Sequence, residues 1–178
     1  NIRFAHCRRQ NMTKDFFDLH NKVVIITGGA GLIGKSYVEV CAHYGAKVFL
    51  ADVNDEAAER VVRDVKKKTG NKNVFYQNCN IVKKETIKKL IDIVLGKFGR
   101  IDALVNNAYP KSKNYGAKFE DVTYEDFCEN LNLHLGGYFL MAHEVSMVMM
   151  KQKSGVIVNM GSHYGFVAPR FEIYEGTE

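Results

Sequence analysis

An eight-residue turn, Thr27-Gly28-Gly29-Ala30-Gly31-Leu32-Ile33-Gly34, constrains this chain more than any other segment. It follows Val23-Val24-Ile25-Ile26, which reads as a buried strand. The amphipathic stretch from Lys35 to Tyr44 comes next and reads as a helix. A strand, a glycine-rich turn and a helix start together make a site for a diphosphate. The first N–H groups of a helix lack partners within it and carry partial positive charge, and glycine lets the backbone approach the phosphates closely. A glycine triplet alone is weak; placed between a strand and a helix it signals a dinucleotide-binding βαβ unit.

A second signal lies further along. Lys47-Val48-Phe49-Leu50-Ala51 reads as strand two, ending at Asp52, 18 positions beyond Gly34. An acidic side chain there accepts hydrogen bonds from the hydroxyls of an adenosine ribose. Its charge would repel a 2′-phosphate, and Val53 beside it supplies no compensating cation, which favours NAD over NADP. A plain tight connection, or an Asp52 that merely caps the next helix, explains each signal separately but not their coincidence. Gly28, Gly31, Leu32, Ile33, Gly34, Asp52 and Val53 are therefore candidate cofactor contacts.

The rest of the chain alternates with a regular beat. Residues 56–68 read as a helix, with Asn54 as its N-cap and Gly70 beyond its end. Residues 73–77 give strand three, and residues 83–98 carry Ile87, Leu90, Ile91, Val94 and Leu95 at helical spacing. Residues 101–105 give strand four, and a polar stretch, 109–118, precedes a long helix over about 124–152. Its pair Gly136-Gly137 suits close packing against the sheet or cofactor rather than an end to the helix. Residues 155–159 give strand five. Alternating β and α elements imply a parallel sheet with helices on both faces: a Rossmann-type, doubly wound, three-layer αβα fold.

Composition removes several function classes. At 178 residues the chain fits one domain. No apolar run approaches the roughly 20 residues of a membrane-spanning helix. Met12 looks like a natural start, so residues 1–11 read as an extension outside the domain at 12–178. Setting aside Arg3, Arg8 and Arg9 takes the net charge from +5 to +2, and nucleic-acid binding loses its main support. Cys7, Cys41, Cys79 and Cys128 show no metal-ligand spacing and suggest reduced thiols in a cytoplasmic protein, with Cys41 and Cys79 in the core.

With these motifs in place, the chain resembles the short-chain dehydrogenase/reductase family from about Leu19 onward. Asn106-Asn107-Ala108-Tyr109 resembles that family's Asn-Asn-Ala-Gly, which lines the adenosine side of the cofactor and supports the sheet. Asn80-Ile81 stands where the family has an Asp-Val or Asp-Ile pair against the adenine. Asn159-Met160-Gly161-Ser162-His163-Tyr164-Gly165 resembles the stretch carrying the active-site serine, which puts that role on Ser162. The resemblance implies a homo-oligomer when full-length. It is nearest to bacterial oxidoreductases of surface-polysaccharide and flagellin-glycan biosynthesis, through the segments 106–110, 129–139 and 167–177. It thus implies a sugar or nucleotide-sugar substrate.

Three departures from the family stand out. The glycine spacing Thr-Gly-x-x-Gly-x-x-Gly is that of the extended branch, with its sugar-nucleotide epimerases and dehydratases; the compact branch has glycine where Leu32 stands. The helical asparagine that helps hold a proton-relay water aligns with His134, which is bulkier and titratable. The catalytic Tyr-x-x-x-Lys is missing after Ser162: four residues beyond Tyr174 stands Glu178, and four beyond Tyr164 stands Ala168. The expectation is an NAD-dependent oxidoreductase that lacks its proton-transfer pair and the C-terminal strands of the sheet. The alternatives are an extended-branch enzyme and a non-catalytic NAD-binding protein.

Overall fold

The computed structural model describes residues 17–168 and 170–174. Five parallel strands form one sheet: β1 (Val23–Thr27), β2 (Lys47–Asp52), β3 (Val74–Asn78), β4 (Ala103–Asn106) and β5 (Val156–Asn159). Their order across the sheet is β3-β2-β1-β4-β5. The helices are α1 (Leu32–His43), α2 (Asp55–Thr69), α3 (Lys84–Phe98), α4 (Tyr124–Leu131) and α5 (Gly137–Gln152). This is the expected αβα arrangement. The residues set apart as an N-terminal extension lie outside those described, as do Pro169 and the last four positions.

β1 is buried along its whole length, and its pleat sends alternate side chains into two cores. Val23 and Ile25 join Phe49, Leu90, Leu104, Met141 and Val145 beneath α3 and α5. Val24 and Ile26 join Val38, Leu50, Ala58 and Val61 beneath α1 and α2. A strand buried on both faces reads as a continuous apolar run, which is why Val23 to Ile26 stand out in the sequence.

Local chemistry sets the ends of α2. The Asn54 side chain accepts from the Ala57 N–H at 3.0 Å, and Gly70 takes the left-handed conformation at φ 73°. Two elements and one residue differ from their sequence reading. α1 begins at Leu32 rather than Lys35; Leu32 and Ile33 are exposed, so they fall outside the core-facing pattern by which the sequence locates a helix. The long helix is interrupted by a π turn, Asn132–Gly136, between α4 and α5. Cys79 is buried as expected, whereas Cys41 is partly exposed at the edge of its core.

Gly136-Gly137 does not end the helix, and Gly137 permits the close packing the sequence suggests. A Cβ there would come within 2.6 Å of Ile81 Cδ1, so α5 rests directly on the β3–α3 connection.

Candidate cofactor site

Strand order reverses between β1 and β4, and a crevice opens at their carboxyl ends. A cavity of about 740 Å³ occupies that place. It gathers eleven of the sequence-assigned residues: Gly28, Gly31, Leu32, Ile33, Gly34, Asp52, Val53, Asn80, Ile81, Asn107 and Ala108. Asn106, His134 and Ser162 are not among its lining residues.

The turn is fastened to its neighbours before any ligand is considered. The buried Thr27 hydroxyl donates to the Val105 carbonyl at 3.3 Å and accepts from the N–H groups of Asn107 and Ala108 at 3.0 and 3.1 Å. Asn107 Nδ2 donates to the carbonyls of Thr27 and Gly28 at 3.0 and 3.2 Å. Glycine is required here mainly by packing. A Cβ at Gly28 would stand 2.6 Å from Ala108 Cα, one at Gly29 2.5 Å from Leu50 Cγ, and one at Gly34 2.1 Å from the Gly28 carbonyl oxygen. At Gly31 the nearest atom would be the Gly28 oxygen at 3.3 Å, leaving that glycine open for an approaching phosphate.

Asp52 closes the other side of the cradle. Its Oδ2 accepts from the Ala30 N–H and its Oδ1 from the Asn54 N–H, both at 3.0 Å. Each oxygen keeps acceptor capacity for a ribose hydroxyl. The helix N-cap is Asn54, so Asp52 is not consumed by capping α2. Leu32, Ile33 and Val53 are 91%, 56% and 62% exposed, and they form an apolar rim that a nucleotide would cover. Asn80 Oδ1 accepts from the Val82 N–H at 3.1 Å, which leaves one lone pair for an adenine amino group. The residues present therefore fit a dinucleotide.

The remaining candidates sit around this cavity. Asn106 is fully buried; its Nδ2 donates to Asn159 Oδ1 at 2.9 Å and to the Tyr138 carbonyl at 3.3 Å, tying β4 to β5 and α5. His134 lies in the π turn, edge-on to Tyr109 with ring centroids 3.8 Å apart. Burial lowers its pKa, and a backbone hydrogen bond with Pro110 partly restores it. Asn106 Oδ1 and His134 Nε2 are buried without a hydrogen-bond partner among the described residues. Ser162 follows β5, exposed, with its Oγ accepting from the Tyr164 N–H at 3.2 Å.

Sequence reading missed Tyr109, Pro110, Lys111 and Leu133 as lining residues. Tyr109 and Lys113 have Tyr-x-x-x-Lys spacing, but on a non-helical loop after β4. Burial and a hydrogen bond with Tyr115 both raise the Tyr109 pKa, the opposite of what a proton donor near neutral pH needs.

Crevice, glycine turn and acidic end of β2 together define a dinucleotide-binding α/β domain. More narrowly, the chain belongs to the short-chain dehydrogenase family, whose model matches residues 22–176. That family consists of oxidoreductases typically dependent on NAD or NADP. The chain is 34% identical to the post-translational flagellin modification protein A of Campylobacter coli over 160 residues, 89% of this chain and 62% of that protein. It is 33% identical to a D-threitol dehydrogenase of Mycolicibacterium smegmatis, over 89% of this chain and 60% of that protein. A solved xylitol dehydrogenase with NAD+ bound superposes with a TM-score of 0.77 at 31% identity, over 89% of this chain and 60% of that one. The chain thus spans less than two thirds of the length of these relatives. Among the described residues, no helix is long and apolar enough to cross a membrane.

Proposed function

We propose that this chain is the cofactor-binding part of an NAD-dependent oxidoreductase acting on a secondary alcohol or ketone of a sugar, nucleotide-sugar or polyol. One observation carries the choice of NAD: Asp52 faces the cavity at the end of β2 with both oxygens fixed by backbone N–H groups. A 2′-phosphate would meet that charge, with the apolar Val53 beside it. The carbohydrate class is supported by the relatives, among them enzymes named for threitol and xylitol and a flagellin modification protein.

Bound NAD would supply hydride transfer at its nicotinamide. In this reading the N–H groups at the start of α1 hold the diphosphate, Asp52 holds the adenosine ribose, and Asn80 and Ile81 face the adenine. Ser162 orients the substrate oxygen, and the unpaired His134 Nε2 is placed to bond a water. No Tyr-x-x-x-Lys follows Ser162 in this sequence, and a site without that proton-transfer pair would forfeit at least about 10²–10⁴-fold in rate. Exposed Leu135, Phe139, Met147 and Met150 on the π turn and α5 support self-association, and the scattered thiols a cytoplasmic setting.

Calorimetric titration with NAD and NADP tests this reading. NAD should bind at least tenfold more tightly; equal or tighter binding of NADP would overturn the role given to Asp52.

A further inference from the structure

We propose that Tyr76 and Asn78 are positioning residues for cofactor selectivity: from β3 they grip Asp55 and the β2–α2 turn, and so hold Asp52 in the pose that reads the adenosine ribose. This rests on the NAD reading above and deepens it.

β3 lies beside β2 in parallel register, with Leu50 opposite Tyr76 and Asp52 opposite Asn78. Two residues apart on one strand, Tyr76 and Asn78 project from the same face. Both converge on one atom. The Tyr76 hydroxyl donates a short hydrogen bond to Asp55 Oδ1, and Asn78 Nδ2 donates to the same oxygen at 2.6 Å. The two donors also reach the backbone of the turn. Tyr76 Oη lies 3.4 Å from the Asp52 carbonyl oxygen, and Asn78 Nδ2 lies 3.4 Å from that of Val53. Residues 52, 53 and 55 are thus all held from the neighbouring strand.

The grip acts through ionised Asp55. Hydrogen bonds from Tyr76, then Asn78, lower the Asp55 pKa; burial and Asp55 itself raise that of Tyr76 and keep it a donor. Within the turn, the Asn54 N–H is what fixes Asp52 Oδ1. If the turn swings away from β3, that N–H moves and Asp52 loses one of the two bonds that set its rotamer. Neither Tyr76 nor Asn78 nor Asp55 lines the cavity, so their influence on a bound nucleotide is indirect.

The test is calorimetric titration of the full chain with NAD and with its analogue lacking the adenosine 2′-hydroxyl. The ratio of the two affinities reads the contact at the 2′-hydroxyl, which the NAD reading gives to Asp52. Wild type should prefer NAD, and Asp52→Ala should abolish the preference. Tyr76→Phe and Asn78→Ala should each cut it at least threefold, while affinity for the analogue changes less than twofold. Asp55→Asn keeps the shape of the grip without its charge and should move the ratio the same way, which keeps the test available if Tyr76→Phe folds poorly. A lowered melting temperature with the ratio unchanged in all three variants would make this a purely structural clasp and overturn the proposal. A wild-type protein that binds NAD yet shows no preference would instead overturn the ribose role of Asp52, and the inference with it.

Discussion

The two flanks of this sheet are built to different degrees of completion. On the β1–β2–β3 side the polar side chains of the crevice, Thr27, Asp52, Asn80 and Asn107, each have a protein partner. Asp52 is held by Ala30 and Asn54, the turn carbonyls by Asn107, and the Thr27 hydroxyl by β4 and the residues after it. On the β5 side, Val156 and Val158 are 59% and 44% exposed on the sheet face that α1 and α2 cover elsewhere. Ser162 stands exposed beyond that strand. The contrast teaches that the proposed cofactor cradle is held by the protein's own hydrogen bonds, while the flank carrying Ser162 is not packed to the same degree. The glycine turn is fastened from both sides, by Asp52 at the end of β2 and by residues 105–108 at and after β4, whereas Ser162 stands exposed after β5.

One methyl group added to each flank should separate them most strongly. Gly34→Ala places a Cβ 2.1 Å from the Gly28 oxygen and 2.8 Å from Asn107 Nδ2, atoms that are themselves fastened. It should cost about 3 kcal/mol of stability, at the upper end of ordinary overpacking, and abolish NAD binding. Gly161→Ala, just after β5, meets nothing within 4 Å and should change stability by no more than about 0.5 kcal/mol. Urea denaturation of both variants measures this, and similar losses would mean the two sides are equally packed.

A smaller effect locates the seam between them. Asp102, just before β4, accepts from the Val23 N–H at 2.9 Å and from Arg100 Nε at 2.9 Å, joining β4 to β1. Burial, the largest single influence, raises its pKa, but the bonds from Arg100 and Val23 outweigh it and the net shift is downward. A depressed folded pKa stabilises above the ordinary carboxylate value, near about pH 4, and that contribution is lost as pH falls through the folded value. Asp102→Asn should therefore cost about 1–3 kcal/mol at pH 7. The gap to wild type should narrow at pH 3; a pH-independent gap would show that the charge plays no part.

How much of this was legible in the sequence follows the same division. Strand–helix alternation, the Asn54 cap, the Gly70 stop and the place of Asp52 were readable, because each depends on local spacing. The start of α1 was not, since Leu32 and Ile33 face the cavity and violate core periodicity. The π turn at 132–136 carries no glycine before Gly136 and no proline, so no local breaker announces it. The grip on Asp55 joins residues 21 and 23 positions apart and exists only through the β2–β3 register. Ser162 could be named by resemblance, but its exposure could not, because exposure depends on what packs against β5.

In the proposed reading, cofactor binding rests on the adenosine and diphosphate contacts. Titration with ADP-ribose, which keeps the adenosine and diphosphate of NAD but lacks nicotinamide, tests it most directly. Its affinity should fall within about threefold of that for NAD, equivalent to less than about 0.7 kcal/mol. ADP-ribose binding tenfold or more weaker than NAD would contradict it and place much of the binding energy on the β5 side.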